Sequence, residues 1–265
     1  MTQFSAAAIA ATVDAYLAHR PDGANGRALD VGSRAVHAHS GVWRPWLDGT
    51  KRARSALPGQ VMPEAPSRAA LELLDELPAP AAALDGEDCV VTRSHLATLS
   101  QGAVDDHART KAWVAVMIWG SGTSNGRGPW RTSQGLRAEA LHRSLAQSQA
   151  SVREGDVAGA YRAFRVTGSG EAFLTKWLWV AGLAGSTGPV PLVLDSRVLE
   201  TLALIHGDGW RVSRGASRYA AYVDAMENAA RQLSTSDRAV TGEQLEWLTW
   251  VRAEGSLNQW LTDRA

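Results

Sequence analysis

The chain has 265 residues, 45% hydrophobic and 20% charged, enough for one large or two small globular domains with ample core. Its 27 cationic and 27 anionic side chains cancel, which argues against a broadly basic nucleic-acid coat. The single cysteine, Cys89, excludes a disulfide framework and a cysteine-rich zinc site.

Residues 4–19 repeat apolar positions at helical spacing and carry Asp14, with no basic start, so they read as an amphipathic helix and not a signal peptide. Residues 20–34 are Gly- and Asn-rich and read as loop. Residues 41–66 hold Trp43, Trp46 and the basic cluster Lys51, Arg52, Arg54, then Pro58, Pro63 and Pro66; the spacing predicts an irregular stretch. Ser67 is placed to cap a helix running to Leu77. The break LPAPAAALDGED follows, then helices near 91–100 and 104–118. Gly120–Gly135 reads as a long loop offering Arg127, Trp130 and Arg131. Helices are expected at 137–152 and 156–165, a turn at Val166–Gly170, and a helix carrying Lys176. Asp195 opens a helix to His206, and further helices span about 214–233 and 242–263, the last with Thr241 and Gln244 at capping-box spacing. Period-2 strands are not evident, so the fold class is all-α. The composition divides as 1–100, a helical region with an irregular basic loop, and 101–265, a core, with the option that the two form one continuous domain. There is no apolar run of about 18 residues, so no membrane span is expected and the cytoplasm is the default location.

Charge is unevenly spread. Residues 70–91 carry six acids and no base, whereas 127–143 carry Arg127, Arg131, Arg137 and Arg143 against Glu139, and 211–218 carry Arg211, Arg214 and Arg218. A neutral total can therefore hide a local basic face. Scattered histidines without HxxxH or HExxH spacing point away from catalytic zinc.

The chemistry-bearing feature is a rare lysine. Only Lys51, Lys111 and Lys176 are lysine; the other cations are arginine. Lys176 lies in EAFLTKWLWVAG, at the edge of an apolar stripe, where lost hydration should lower its pKa and favour a neutral, nucleophilic amine. Nineteen residues on, PLVLD ends in Asp195, suited both to capping a helix and to stabilising a developing cation. Gly168 and Gly170 allow a tight turn whose N–H groups, with the following helix N-terminus, suit a phosphate oxygen. Glu171, directly after the turn, competes for that positive end. The plainer alternatives are an ordinary helix–helix turn, a lysine reaching water along its stem, and an N-cap aspartate.

Thr167-Gly168-Ser169-Gly170, Thr175-Lys176 and Pro191-Leu192-Val193-Leu194-Asp195, in this order and spacing, resemble the helix-hairpin-helix DNA glycosylases, more narrowly bacterial proteins of the 8-oxoguanine glycosylase (OGG) fold. Trp119-Gly120 and Gly128-Pro129-Trp130-Arg131-Thr132 are similar to that bacterial group. In the family's usual pattern the lysine follows the second hairpin glycine almost at once; here it comes six residues after Gly170, which bears on lyase activity more than on DNA binding. The resemblance implies a glycosylase that flips out a modified base, with Lys176 as nucleophile attacking C1′ and Asp195 as electrostatic partner, and possible substrates from 8-oxoguanine to a bulky phage base such as glucosylated hydroxymethylcytosine. It implies phosphate or base-edge contacts from Gly168, Ser169, Gly170, Arg127 and Arg131, and a stacking surface from Trp119 or Trp130. The expected partner is double-stranded DNA bearing a modified base, with no cofactor beyond a monovalent cation at the hairpin, no membrane and no obligate protein partner. The rivals are a non-catalytic helix-hairpin-helix DNA-binding module, in which Lys176 would face solvent, and an all-α protein-interaction domain.

Overall fold

A computed structural model describes residues 4–20, 35–51, 62–80, 88–122, 126–207, 210 and 214–264. The loop expected at 21–34, Arg52, Arg54, Pro58, Arg211, most of the LPAPAAALDGED break and the tip of the glycine-rich loop lie outside the described residues.

Two helices form the centre. Helix α5 (Asp106–Ser121) is buried at every position from Ala112 to Trp119, so it is apolar all round, as a helix enclosed on every side must be. Helix α9 (Glu171–Leu183) packs against it and is buried from Phe173 to Gly182. Around them lie α3 (Glu64–Glu76), α4 (Arg93–Gln101), α6 (Gly128–Leu136) and α7 (Leu141–Arg153), all in contact with α5. Trp177 fixes one seam: its indole N–H donates to Ser148 Oγ on α7 at 2.8 Å. The remaining helices are α8 (Val157–Ala163), α10 (Ser196–His206), α11 (Ala216–Leu233), α12 (Gly242–Trp250) and α13 (Leu257–Thr262). Helix α1 (Ala6–His19) returns to the end of the chain and packs on α10, α11 and α13. Tyr16 O–H donates to the Gly255 carbonyl at 2.8 Å, joining it to the α12–α13 connection. Residues from both sides of position 100 share one apolar core.

The helix starts follow their capping residues. Ser5, Thr92, Asp105, Asp156, Asp195, Thr241 and Ser256 each accept a backbone N–H from the first turn they precede. Thr241 and Gln244 complete a reciprocal capping box.

Four expectations change. Within 41–66 a helix, α2 (Ser40–Leu47), forms despite Pro45 inside it. It survives because Trp43 and Leu47 are fully buried, and the burial outweighs the local penalty. Helix α3 starts three residues before Ser67, whose buried hydroxyl donates to the Leu47 carbonyl at 2.7 Å and joins α2 to α3 instead of capping. The second half of the glycine-rich loop is α6, with Pro129 in its first turn where a missing N–H costs nothing. The long C-terminal helix is two, α12 and α13, separated at Val251–Ser256. A two-stranded antiparallel sheet also forms, β1 (Ala35–Ala38) with β2 (Cys89–Thr92), pairing Ala35 with Thr92 and Ala38 with Cys89. At four residues each, neither strand is long enough to show a period in the sequence.

Candidate active site

Helices α8 and α9 flank the predicted turn. Gly168 has φ +82°, and a Cβ there would run into the Arg131 carbonyl, so the position needs glycine twice over. Ser169 N–H closes the turn on the Val166 carbonyl at 3.2 Å. Gly170 is the N-cap of α9; its carbonyl accepts from Phe173 and Leu174, and no side chain caps the first turn. Among the described residues no partner takes the Glu171 and Ala172 N–H groups, which leaves them to an acceptor from outside.

Glu171 does not take them. Its carboxylate turns aside to accept from Tyr161 O–H at 2.8 Å and to pair with Arg218, with the exposed Arg214 at 3.9 Å. Burial and the carboxylate beside it push the Tyr161 phenol up to about 12, so it stays a donor.

Lys176 is the sixth residue of α9 and is 4% exposed. It lies inside, not at the rim. The α5 backbone passes close by at Gly120, where a Cβ would press on the Phe173 ring and the Lys176 stem. Lys176 Nζ sits 3.1 Å from Asp195 Oδ2 and 3.5 Å from the Ala172 carbonyl. The other carboxylate oxygen, Asp195 Oδ1, caps α10 by accepting from Arg197 and Val198 N–H at 3.1 and 3.3 Å. Capping and charge pairing thus use different oxygens of one side chain. Burial pushes the Asp195 carboxyl up, but the Lys176 charge and hydrogen bond, with the two backbone donors, outweigh it and hold the group below the usual carboxylate range. Burial alone would favour a neutral Lys176 amine; the adjoining carboxylate favours the ammonium, and the resting site is an ion pair.

Three residues to which the sequence reading gave no role of their own hold Asp195 in place. Thr175, next to Lys176, accepts from Leu194 N–H at 3.0 Å, and its hydroxyl lies 3.3 Å from the Leu194 carbonyl. From α11, Tyr219 O–H donates to the Leu192 carbonyl at 2.7 Å and Tyr222 O–H to the Val193 carbonyl at 2.9 Å. PLVLD is not a strand; α9 and α11 satisfy its buried backbone through side chains. The i, i+3 spacing of Tyr219 and Tyr222 was the available signal, but it identified no partner.

Behind the pair lies a second charged group. Arg93 lies over the rings of Trp179, Trp247 and Trp119, at 4.8, 5.2 and 5.8 Å from their centroids. It bonds Glu243 at 2.6 Å and Glu246 at 3.4 Å. Trp119 is stacked on Trp179 at 5.7 Å and is 2% exposed, so its ring is enclosed in the core. Trp130 is half-buried on α6. On the same helix, Arg131 lies 5.9 Å over the Phe173 ring and lends its carbonyl to the Gly168 contact, while Arg127 is exposed at the helix start. Gly168, Ser169, Gly170 and Arg131 therefore gather at the start of α9, with Lys176 six residues past Gly170 and Asp195 against it.

Residues 30–250 match the model of the family described as "Putative 8-oxoguanine DNA glycosylase OGG-like protein". No curated protein and no solved structure matches the chain.

Proposed function

Because the chain belongs to the 8-oxoguanine DNA glycosylase OGG-like family, we propose that it is a DNA glycosylase in which Lys176 is the nucleophile and Asp195 its electrostatic partner. The observation that carries this reading is the approach of Lys176 Nζ to Asp195 Oδ2, 3.1 Å, in a site both helices bury. The buried amine also supports an enzyme over a purely DNA-binding module, which would leave Lys176 in solvent.

The chemistry follows from the geometry. A flipped nucleotide presents C1′ to the pair. Lys176 first gives up a proton to water, since only the neutral amine has a free electron pair, and the departing base takes one up as it leaves. The C1′–N bond to the base breaks, its electrons leave with the base, and positive charge develops on the sugar. Asp195, ionised and fixed by α10, stabilises that charge; unit charges at about 4 Å in a partly dry site interact by roughly 4 kcal/mol. The Nζ–C1′ bond then forms, and ring opening yields a Schiff base. Hydrolysis of that imine returns the amine and an abasic site; elimination from it would cut the strand.

DNA is held by the turn before α9. The Glu171 and Ala172 N–H groups at the α9 start suit a backbone phosphate, with Arg131 and Arg127 alongside. 8-Oxoguanine is the substrate we assign first, from the family.

The test uses duplexes carrying oxidised, deaminated and glucosylated bases, with released base measured and Schiff base trapped by borohydride. Trapping by the wild-type protein, and loss of base release in both Lys176→Gln and Asp195→Asn by 100-fold or more (about 3 kcal/mol), is the expected result. Full activity in both variants would end the proposal.

A further inference from the structure

Two neighbouring ion-paired groups, Lys176 with Asp195 and Arg93 with Glu243 and Glu246, form a cluster of two cations against three carboxylates. The cluster has one carboxylate too many. Asp195 has Lys176, and Glu243 holds Arg93 at 2.6 Å while remaining one-third exposed. Glu246 is left with the longer contact to Arg93, 3.4 Å, and is 1% exposed. Of the three it has least water and the weakest partner.

Its place in the fold links it to the catalytic pair. The start of α12 abuts the PLVLD segment, where a Cβ on Gly242 would touch Leu192. Arg93, its ion-pair partner, lies over Trp179, three residues after Lys176 on α9. Glu246 interacts electrostatically with both Asp195 and Lys176.

We propose that Glu246 is a positioning residue whose charge governs how readily Lys176 gives up its proton. This rests on the reading of Lys176 as nucleophile. Ionised, Glu246 adds negative charge near an ammonium and holds the proton on Lys176. Neutral, it removes that charge and leaves Asp195, the carboxylate in contact with Lys176, to oppose deprotonation. Burial pushes Glu246 up to about 7, against the pull of Arg93, so the change falls near neutrality. Among the described residues the titratable groups facing it come from four helices and the α10 cap. Lys176 comes from α9, Asp195 from the α10 cap, Arg93 from α4 and Glu243 from its own helix. From α11 come Tyr219 and Tyr222, whose phenols burial raises well above the usual range, so they stay neutral, and Glu227, which meets Gly242 at the start of α12 and whose carboxyl burial pushes up against the pull of Arg231. Further out on the α10 side, Arg252 pairs with Glu200, and Arg197 lies over Trp250. Helix α13 brings no titratable side chain.

A chain with three lysines allows a direct test. Lysine-labelled protein gives three side-chain NMR signals, with Lys176 assigned by its loss in Lys176→Gln. In Glu246→Gln the Lys176 titration midpoint should fall by on the order of one unit, while Lys51 and Lys111 stay put and report an intact fold. The acid limb of borohydride trapping should move the same way. In the wild-type protein, the Lys176 signal should show an inflection near neutral pH as Glu246 ionises, which needs no variant. An unchanged midpoint in folded Glu246→Gln, or no inflection in the wild type, overturns the proposal. Wild-type protein that releases no base from any duplex would instead refute the glycosylase reading and leave the lysine titration standing.

Discussion

Asp195 does two jobs with two oxygens, and substitution separates them. Asn keeps an acceptor for the Arg197 and Val198 N–H groups; Ala keeps neither function. Asp195→Ala leaves a buried ammonium without its carboxylate and an uncapped helix, which should cost about 3–5 kcal/mol for the pair and about 1 for the cap. Asp195→Asn should cost less, and the order Asn before Ala in melting temperature checks the division. The pH dependence has a definite sign. The native Asp195 carboxyl titrates below its unfolded value, so its stabilisation is present above about pH 4 and is lost as pH falls through the depressed native value. Urea unfolding from pH 5 to 2 should therefore be flatter in Asp195→Asn. Glu246 runs the other way. Its native value is about 7 against 4.5 in the unfolded chain, so the folded state binds the extra proton and stability falls as pH rises across that window. The loss should total on the order of 3 kcal/mol, and Glu246→Gln should abolish it. Equal slopes from pH 5 to 8 in the two proteins would contradict this.

At the scale of the turn and its helix, two glycines with the same motif role have different physical demands. Gly168 has positive φ and no space for a side chain against Arg131; Gly170 has φ −71° and open space around it. Gly168→Ala should cost about 2 kcal/mol or more and weaken DNA binding, because the turn must move off α6. Gly170→Ala should leave melting unchanged and affect DNA only where the added methyl meets a phosphate. Similar melting losses in both would show that the turn is not held as described. The sequence made this turn legible, and with it the Lys176 helix and the Asp195 cap, because each depends on local chemistry: glycine, helical period, a capping oxygen. It did not reveal what holds Asp195 in position. Thr175, Tyr219 and Tyr222 act through backbone partners up to 29 residues away, and Arg93 meets Glu243 and Glu246 across 150 residues or more. Such contacts leave no periodic trace. The α2 and α6 helices were hidden for a related reason: proline and glycine read as breakers, and only burial against Trp43 and its neighbours overrides them.

For the whole molecule the question is how a chain of zero net charge holds a polyanion. The described residues place the answer in local pairing. Arg218 on α11 and Arg214 just before it approach the α9 start, but Glu171 engages both, so the cationic surface there is partly neutralised from within. Arg218 is nearly buried and Arg214 is 87% exposed, so the two should respond differently when the carboxylate is removed. In Glu171→Gln the Arg214 guanidinium is free to reach a phosphate, and the positive end of α9 loses its competing charge. Unmodified duplex should then bind several-fold tighter, and the slope of log K against log salt should steepen by about 0.9 for each phosphate gained. The same variant leaves Arg218 without its carboxylate, so melting temperature should fall even as affinity rises. Arg127→Ala serves as the opposite control: exposed at the start of α6, it should weaken binding across all sequences and make the slope shallower by about one contact, with melting unchanged. If Glu171→Gln loses stability but its salt slope matches wild type, DNA does not approach the α9 start, and the phosphate site must be sought on another face.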